Sequence, residues 1–174
     1  MARGPLRVEV DHARRYPGAD KLATECVINL IRTVNLVTAE VERILRRHGL
    51  TGPGFNLLMI VEGAGGSLSP HEIGERRLVT RGTVTGVLDT LEQQGWVRRI
   101  QHPEDRRRLL IELTDRGRRT LSDACEELFP AQAEMIAVLN RQKKAELVGA
   151  LGKLQDHLGA GAQGGRRKLD MKAG

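Results

Sequence analysis

Cysteine and aromatic side chains are scarce in this chain: its 174 residues include two Cys, one Trp, one Tyr and two Phe. Two cysteines, Cys26 and Cys125, cannot build a disulfide framework, and a reducing cytoplasm is the compartment that fits. Long apolar runs are also missing. The longest, Leu57-Leu58-Met59-Ile60-Val61, is far short of the ~20 residues that span a bilayer, so a membrane protein is not expected. Residues Met1 to Arg7 contain no apolar stretch of the kind a secretory signal needs. The five histidines, His12, His48, His71, His102 and His157, follow no metal-ligand spacing, and no metal site is expected. Gly-x-Gly-x-x-Gly, the Walker loop and Gly-x-Ser-x-Gly are all absent, and acidic pairs fall only on solvated helix faces. The expectation is a chain with no cofactor that is not an enzyme.

What is present is charge, unevenly placed. With 40% hydrophobic and 29% charged residues the composition is that of a globular domain, and the length suits one core. The net charge is +6. Between Arg76 and Arg119 eleven arginines face six acids, a local charge of +5. The tail, Gly159 to Gly174, adds +3, which leaves the rest of the chain at −2. A basic block in a slightly acidic chain is the footprint of a polyanionic partner. Its use of arginine rather than lysine favours forked contacts to phosphate or guanine.

Apolar spacing divides the chain into helices and one hairpin. Residues 1–19, with Pro5, Pro17 and Gly18, form an arm without periodicity. From Asp20 to His48, Val27, Leu30, Val34, Val37, Val41 and Ile44 step by three and four, a long amphipathic helix with a heptad-like seam, stopped by Gly49. A second helix is expected from a Thr51 cap to Gly63. Ser69-Pro70-His71-Glu72 is a capping box with proline in the first turn, and Leu68 and Ile73 stand where a hydrophobic staple would clamp it. That short helix should end by Val79, and Thr80 should cap another that buries Val84, Val87, Leu88 and Leu91. The pair forms a helix-turn-helix. After Gly95 come two strands, 96–100 and 108–113, joined by the polar, basic segment Gln101-His-Pro-Glu-Asp-Arg-Arg107. A helix-turn-helix followed by a hairpin is a winged helix. Thr114 should cap a helix with core positions Leu121, Cys125 and Leu128, kinked or broken at Pro130. Asn140 should cap a last one carrying Leu147, Leu151, Leu154 and Leu158. The fold class is mainly α with a small β-hairpin wing.

Several stretches together carry a family likeness. They are Leu50-Thr51, Leu68-Ser69, the run from Thr80 to Arg99, and His102-Pro-Glu-Asp-Arg-Arg-Arg-Leu-Leu-Ile-Glu-Leu-Thr-Asp-Arg-Gly117. In this order they closely resemble the MarR family of bacterial transcriptional regulators, over roughly residues 20–158. The resemblance implies a homodimer whose terminal helices, 20–50 and 115–158, interlock. It implies a winged helix-turn-helix DNA-binding domain at 51–114 and leaves 159–174 as a flexible basic tail. Each subunit would place a recognition helix in a major groove and a wing in the neighbouring minor groove of a pseudo-palindromic operator. A small-molecule effector, often aromatic or phenolic in this family, would modulate binding; its site is not legible.

The DNA-contacting residues expected are Thr80, Arg81, Thr83 and Thr85 on the recognition helix and Asp105, Arg106 and Arg107 on the wing. Arg81 and Thr83 lie in a first helical turn, where side chains and N–H groups meet phosphates or base edges. Many family members carry an arginine where this chain has Gly86. On the wing, Asp105 can orient an arginine by a bidentate pair, and such an arginine suits a narrow minor groove. The competing interpretation of both features is a solvated surface helix and a surface salt bridge. Cys26 falls near the position of the reactive cysteine in peroxide-sensing family members, which also supply tyrosines; this chain has only Tyr16. A thiol-redox switch at Cys26 and a winged-helix module that binds protein instead of DNA stay open as alternatives.

Overall fold

The computed structural model describes residues 4–8, 15–65, 67–75, 81–103, 105 and 109–170, with the backbone alone at 74–75, 81–83 and 161–170. In chain order its elements are α1 (Lys21–Arg47), α2 (Gly52–Gly63), β1 (Ser67–Leu68), α3 (Pro70–Glu75), α4 (Arg81–Gln93), β2 (Val97–Gln101), β3 (Leu109–Leu113), α5 (Asp115–Met135) and α6 (Arg141–Asp170). The chain divides into two compact units, Met1–Pro130 and Ala131–Gly174.

Each helix starts and stops where local chemistry dictates. Asp20 accepts the Ala23 N–H at 3.0 Å to cap α1. The Thr51 hydroxyl accepts from Gly54 at 3.2 Å to cap α2. At α3 the Ser69 N–H donates to the Glu72 carboxylate at 2.8 Å while the Glu72 N–H donates to the Ser69 hydroxyl at 3.3 Å, the reciprocal pair of a capping box. Two helices end in Schellman motifs around glycines of positive φ. Gly49 (φ 71) and Leu50 donate to the carbonyls of Arg46 and Leu45; Gly95 (φ 70) and Trp96 donate to those of Glu92 and Leu91.

The core of the first unit lies where the C-terminal end of α1, α2, the helix-turn-helix and the sheet meet. Ile44, Leu57, Leu58, Ile73, Leu88 and Ile111 are almost fully buried there, each contributing about 1.5–3 kcal/mol of hydrophobic stabilisation. The sheet has three antiparallel strands in the order β1-β3-β2. The two-residue β1, which pairs Ser67 with Glu112 and Leu68 with Ile111, was not anticipated because two residues show no periodicity. The hairpin register runs from Val97↔Leu113 to Gln101↔Leu109.

Four details differ from the sequence expectation. The apolar seam of α1 is split: Ile44 enters the core, whereas Val27, Leu30, Val34 and Val37 stay exposed in the single chain. By length and composition α1 is also long and apolar enough to cross a membrane, with an 18-residue stretch of mean hydropathy 1.2, although no purely apolar run signals this. Helix α5 is not interrupted at Pro130 and continues to Met135, but the division between the two units falls just after that proline. Cys125 is half-buried rather than core, since Ala124 takes the fully buried position beside it. In the second unit the Asn140 side chain caps α6 by accepting the Lys143 N–H at 2.9 Å, and the helical backbone runs on through Asp170, past Leu158.

Candidate nucleic-acid interface

Helix α4 has two distinct sides. Val84, Leu88 and Leu91 point into the core, and the opposite side presents Thr85, Gly86 and Thr90 to solvent. Nothing lies within 4 Å of the place a Gly86 Cβ would occupy, so this stretch of helix is open to close approach. The Thr90 hydroxyl donates to the Gly86 carbonyl at 2.9 Å, which leaves its oxygen as an acceptor facing outward. Of the recognition-helix residues singled out from the sequence, Thr85 is exposed on this side. Arg81 and Thr83 are in the first turn of α4, where the backbone alone is described, and Thr80 lies outside the described residues.

The wing is the β2–β3 hairpin. Gln101 and Leu109 are its last paired residues, so residues 102–108 form the connection. Asp105 is exposed there; Arg106 and Arg107 lie outside the described residues.

The root of the wing is tied to α4 by a contact that the sequence did not advertise. Arg99 on β2 donates to Asp89 Oδ1 at 2.5 Å and to Glu92 Oε2 at 2.6 Å, both carboxylates on α4. The other Glu92 oxygen accepts the Arg99 backbone N–H at 3.3 Å. The hydrogen bond that Arg99 donates to Asp89 raises the Arg99 pKa above its ordinary value. β2 is an edge strand, and Glu92 therefore satisfies an outward-facing N–H that would otherwise have only water. The signal available in the sequence was a pair of acids three residues apart on a helix followed by a strand arginine.

Ion pairs engage part of the basic block. Arg98 pairs with Glu112 at 2.7 Å, Arg99 with the two α4 carboxylates, and Arg118 with Glu62 at 3.3 Å. These three arginines of the basic block are paired within the chain. Asp89, Glu92 and Glu112 were already counted in the local charge of +5, so pairing with them holds arginines in place without removing the excess of positive charge.

Away from this face, two polar clusters were missed. Glu25, buried on α1, accepts from the Val8 N–H at 3.0 Å and from Arg7 at 2.9 Å, while Asn29 both donates to the Leu6 carbonyl and accepts its N–H. Together they pin the extended residues of the N-terminal arm to α1. The hydrogen bond from Val8, with that from Arg7, holds the Glu25 carboxyl below the usual carboxylate range. Glu127 on α5 joins His48 (2.9 Å) and Arg47 at the end of α1, and the His48 hydrogen bond does most to lower its pKa. Among the cysteines, Cys26 is exposed on α1; Cys125 donates to the Met59 sulfur at 3.7 Å, and burial pushes its thiol pKa up.

Known proteins place this architecture. The sequence model of the MarR family matches residues 48–108, which hold the helix-turn-helix and most of the wing. The transcriptional repressor YetL of Bacillus subtilis is 30% identical over 149 residues, covering 85% of this chain and 89% of YetL. A MarR mutant from E. coli, solved in complex with operator DNA, is 26% identical with a TM-score of 0.63, covering 78% of this chain and 99% of that one. An organohalide-sensing transcriptional regulator in its 2,4-dichlorophenol-bound form shares the fold at a TM-score of 0.74 and 21% identity, covering 87% of this chain and 89% of that one. With its winged helix and this relative in YetL, the chain belongs to the MarR family of DNA-binding transcriptional regulators.

Proposed function

We propose that this regulator is a homodimeric repressor that acts in the cytoplasm on a pseudo-palindromic stretch of double-stranded DNA and is released by a small-molecule effector. The observation that carries the DNA contact is the exposed Thr85–Gly86–Thr90 side of α4, with the wing clamped beside it by Arg99. The E. coli relative held on operator DNA supports the same use of the fold. Arg81, Thr83 and Thr85 would meet the major groove and Arg106 and Arg107 the minor groove, with Asp105 aiming an arginine.

Dimerisation follows from α1. Val27, Leu30, Ile31 and Val34, spaced by three and four along one side of α1, are 56%, 41%, 55% and 52% exposed. A row of exposed apolar side chains of this kind marks an interaction site. A second copy is the occupant that a two-half-site operator requires. A bilayer is the competing occupant for a helix this apolar, yet Glu25 and Arg32 fall in its first half and Glu25 is committed to the arm. For the effector, the first class to test is aromatic or phenolic. The family resemblance suggests it, and the fold neighbour with bound 2,4-dichlorophenol offers a starting compound. An effector that favours one spacing of the two recognition helices lowers operator affinity by its differential affinity for that state.

The deciding experiment is a gel shift against the DNA upstream of the chain's own coding region, with and without salicylate-like compounds or 2,4-dichlorophenol. A retarded band competed by operator but not by random duplex, and weakened by a phenolic compound, is expected. Binding insensitive to DNA sequence would favour a winged-helix module that uses the wing charge on an acidic protein.

A further inference from the structure

We infer that Arg99 is a positioning residue for DNA discrimination: by joining β2 to Asp89 and Glu92 it sets the wing at one distance from the recognition helix. The inference deepens the DNA-binding reading above and rests on it. Three facts distinguish this contact from an ordinary surface pair, whose energetic value is small. Arg99 reaches two carboxylates at once, at 2.5 and 2.6 Å, so its planar fork is held in one orientation. Its own backbone N–H is bound by Glu92, which fixes the strand as well as the side chain. Its side chain is only 31% exposed, against 63% for Arg98, the neighbouring arginine of β2.

The placement of these groups gives the contact its consequence. Asp89 lies one helical turn after Thr85 and follows Gly86 by three residues, so the carboxylates stand on the edge of the exposed side of α4 that adjoins the wing. On the strand, Arg99 is two residues from Gln101, the last paired residue before the 102–108 connection. A protein that reads a major groove with a helix and the next minor groove with a hairpin must hold the two at the separation of those grooves. A site whose parts are about 1 Å loose loses its selectivity even when every contact residue is present. Arg99 therefore acts through geometry, without touching DNA.

Charge and geometry are separable because Asp89→Asn combined with Arg99→Gln leaves the net charge of the cluster unchanged. The probes are a duplex selected by the wild-type protein from a random-sequence pool and a scrambled duplex of the same length and composition. Arg99→Lys, which keeps the charge but cannot fork to both carboxylates, is the second variant, and thermal unfolding is recorded for each. The expected result is a loss of about tenfold in affinity for the selected duplex, ~1.4 kcal/mol, in the double variant and a smaller loss in Arg99→Lys. Affinity for the scrambled duplex should stay within about twofold, since the phosphate contacts are untouched. Equal losses on both duplexes would overturn the inference in favour of a plain electrostatic role. Unchanged affinity for the selected duplex in both variants would overturn it too. If the wild type itself selects no duplex, the DNA-binding reading fails and Arg99 with it, an outcome distinct from either.

Discussion

Gly117 packs directly against the carbonyl of Trp96: a Cβ at position 117 would lie 1.9 Å from that oxygen and 2.8 Å from its carbon. The same carbonyl accepts the Thr114 N–H at 3.0 Å, and the Thr114 hydroxyl donates to Gly95 at 2.7 Å while accepting the Gly117 N–H. The first turn of α5 is thereby docked on the turn between α4 and β2. Gly117→Ala should destabilise the protein by about 1–3 kcal/mol, because the obstructing atoms are backbone and cannot swing aside. Gly86→Ala is the matched control: nothing lies within 4 Å of its Cβ, and the gain in helix propensity should stabilise it by up to about 1 kcal/mol. Urea unfolding of the two variants beside wild type checks both signs. A Gly117→Ala protein as stable as wild type would contradict the close approach.

The same corner shows how much of the fold was legible in the sequence. Caps at Thr51, Ser69, Thr114 and Asn140, and stops at Gly49 and Gly95, are local chemistry and could be read directly. The buried side of α4 followed from its period. What could not be read were contacts between elements: Gly117 was part of a motif, but its reason is the distant Trp96 carbonyl. Arg98 and Arg99 looked like two equal members of a basic block, and only the sheet register sends one to Glu112 and the other to α4. The seam of α1 was visible, but a single chain buries just its end, and the proposed dimer would cover the remainder.

Glu127 links the two ends of this helical frame, bonding His48 and Arg47 at the end of α1 from its place on α5. Its pKa is lowered from an ordinary 4.5, first by the His48 hydrogen bond. Such a carboxylate adds stability that is present above its unfolded pKa and is lost as the pH falls through the lower folded value. Glu127→Gln should therefore melt below wild type at neutral pH, and the gap between them should close as the pH drops below 4.5. Thermal melts from pH 7 to pH 3 measure this. A gap that stays constant across the range would mean that the Glu127 charge contributes nothing.

The proposed dimer makes a separate prediction. Val34 is 52% exposed on α1, so Val34→Glu should leave the single chain folded. At a subunit interface the same change buries an unpaired charge at roughly 3 kcal/mol, weakening association about a hundredfold. Truncation at about residue 140 should also remove the last helix from the interface. Both proteins are expected to sediment as monomers and to fail to bind operator. A Val34→Glu chain that remains dimeric would exclude this side of α1 from the interface. A wild type that needs detergent to stay in solution would point to the bilayer instead.

Cys26 separates ligand sensing from redox sensing. It is exposed, but it lies beyond the first turn of α1 and has no histidine near it in the sequence. A reactive thiolate needs an activating cationic neighbour or helix N-terminus aimed at its sulfur. Cys26→Ser should leave operator binding and effector response within about threefold, roughly 0.7 kcal/mol. Gel shifts with micromolar peroxide are the check. Dissociation of the wild type but not of the mutant would replace the effector reading with a thiol switch.

Arg107 supplies the most direct test of the wing. It belongs to the 102–108 connection that joins the paired residues Gln101 and Leu109, two positions beyond the exposed Asp105. A carboxylate two residues away on a hairpin connection can pre-order a flexible guanidinium and so reduce the entropy lost when it enters a minor groove. A minor-groove arginine reads groove shape and charge more than base identity. Arg107→Ala should therefore weaken operator and scrambled duplex together, in contrast to the Arg99 variants, which should separate them. With one phosphate's worth of counterion released per subunit, the log–log salt slope of the dimer should become shallower by ~1.8, at about 0.9 per neutralised phosphate. Asp105→Ala should lose less affinity in the same direction, because the arginine charge remains while its orientation does not. Neither change should move the unfolding midpoint much, since Asp105 is exposed and the tip of a wing is expected to add little to the core. A salt titration of affinity for wild type and both variants decides the matter. An unchanged slope and affinity in Arg107→Ala would remove this arginine from the DNA interface and shift the weight of recognition to α4.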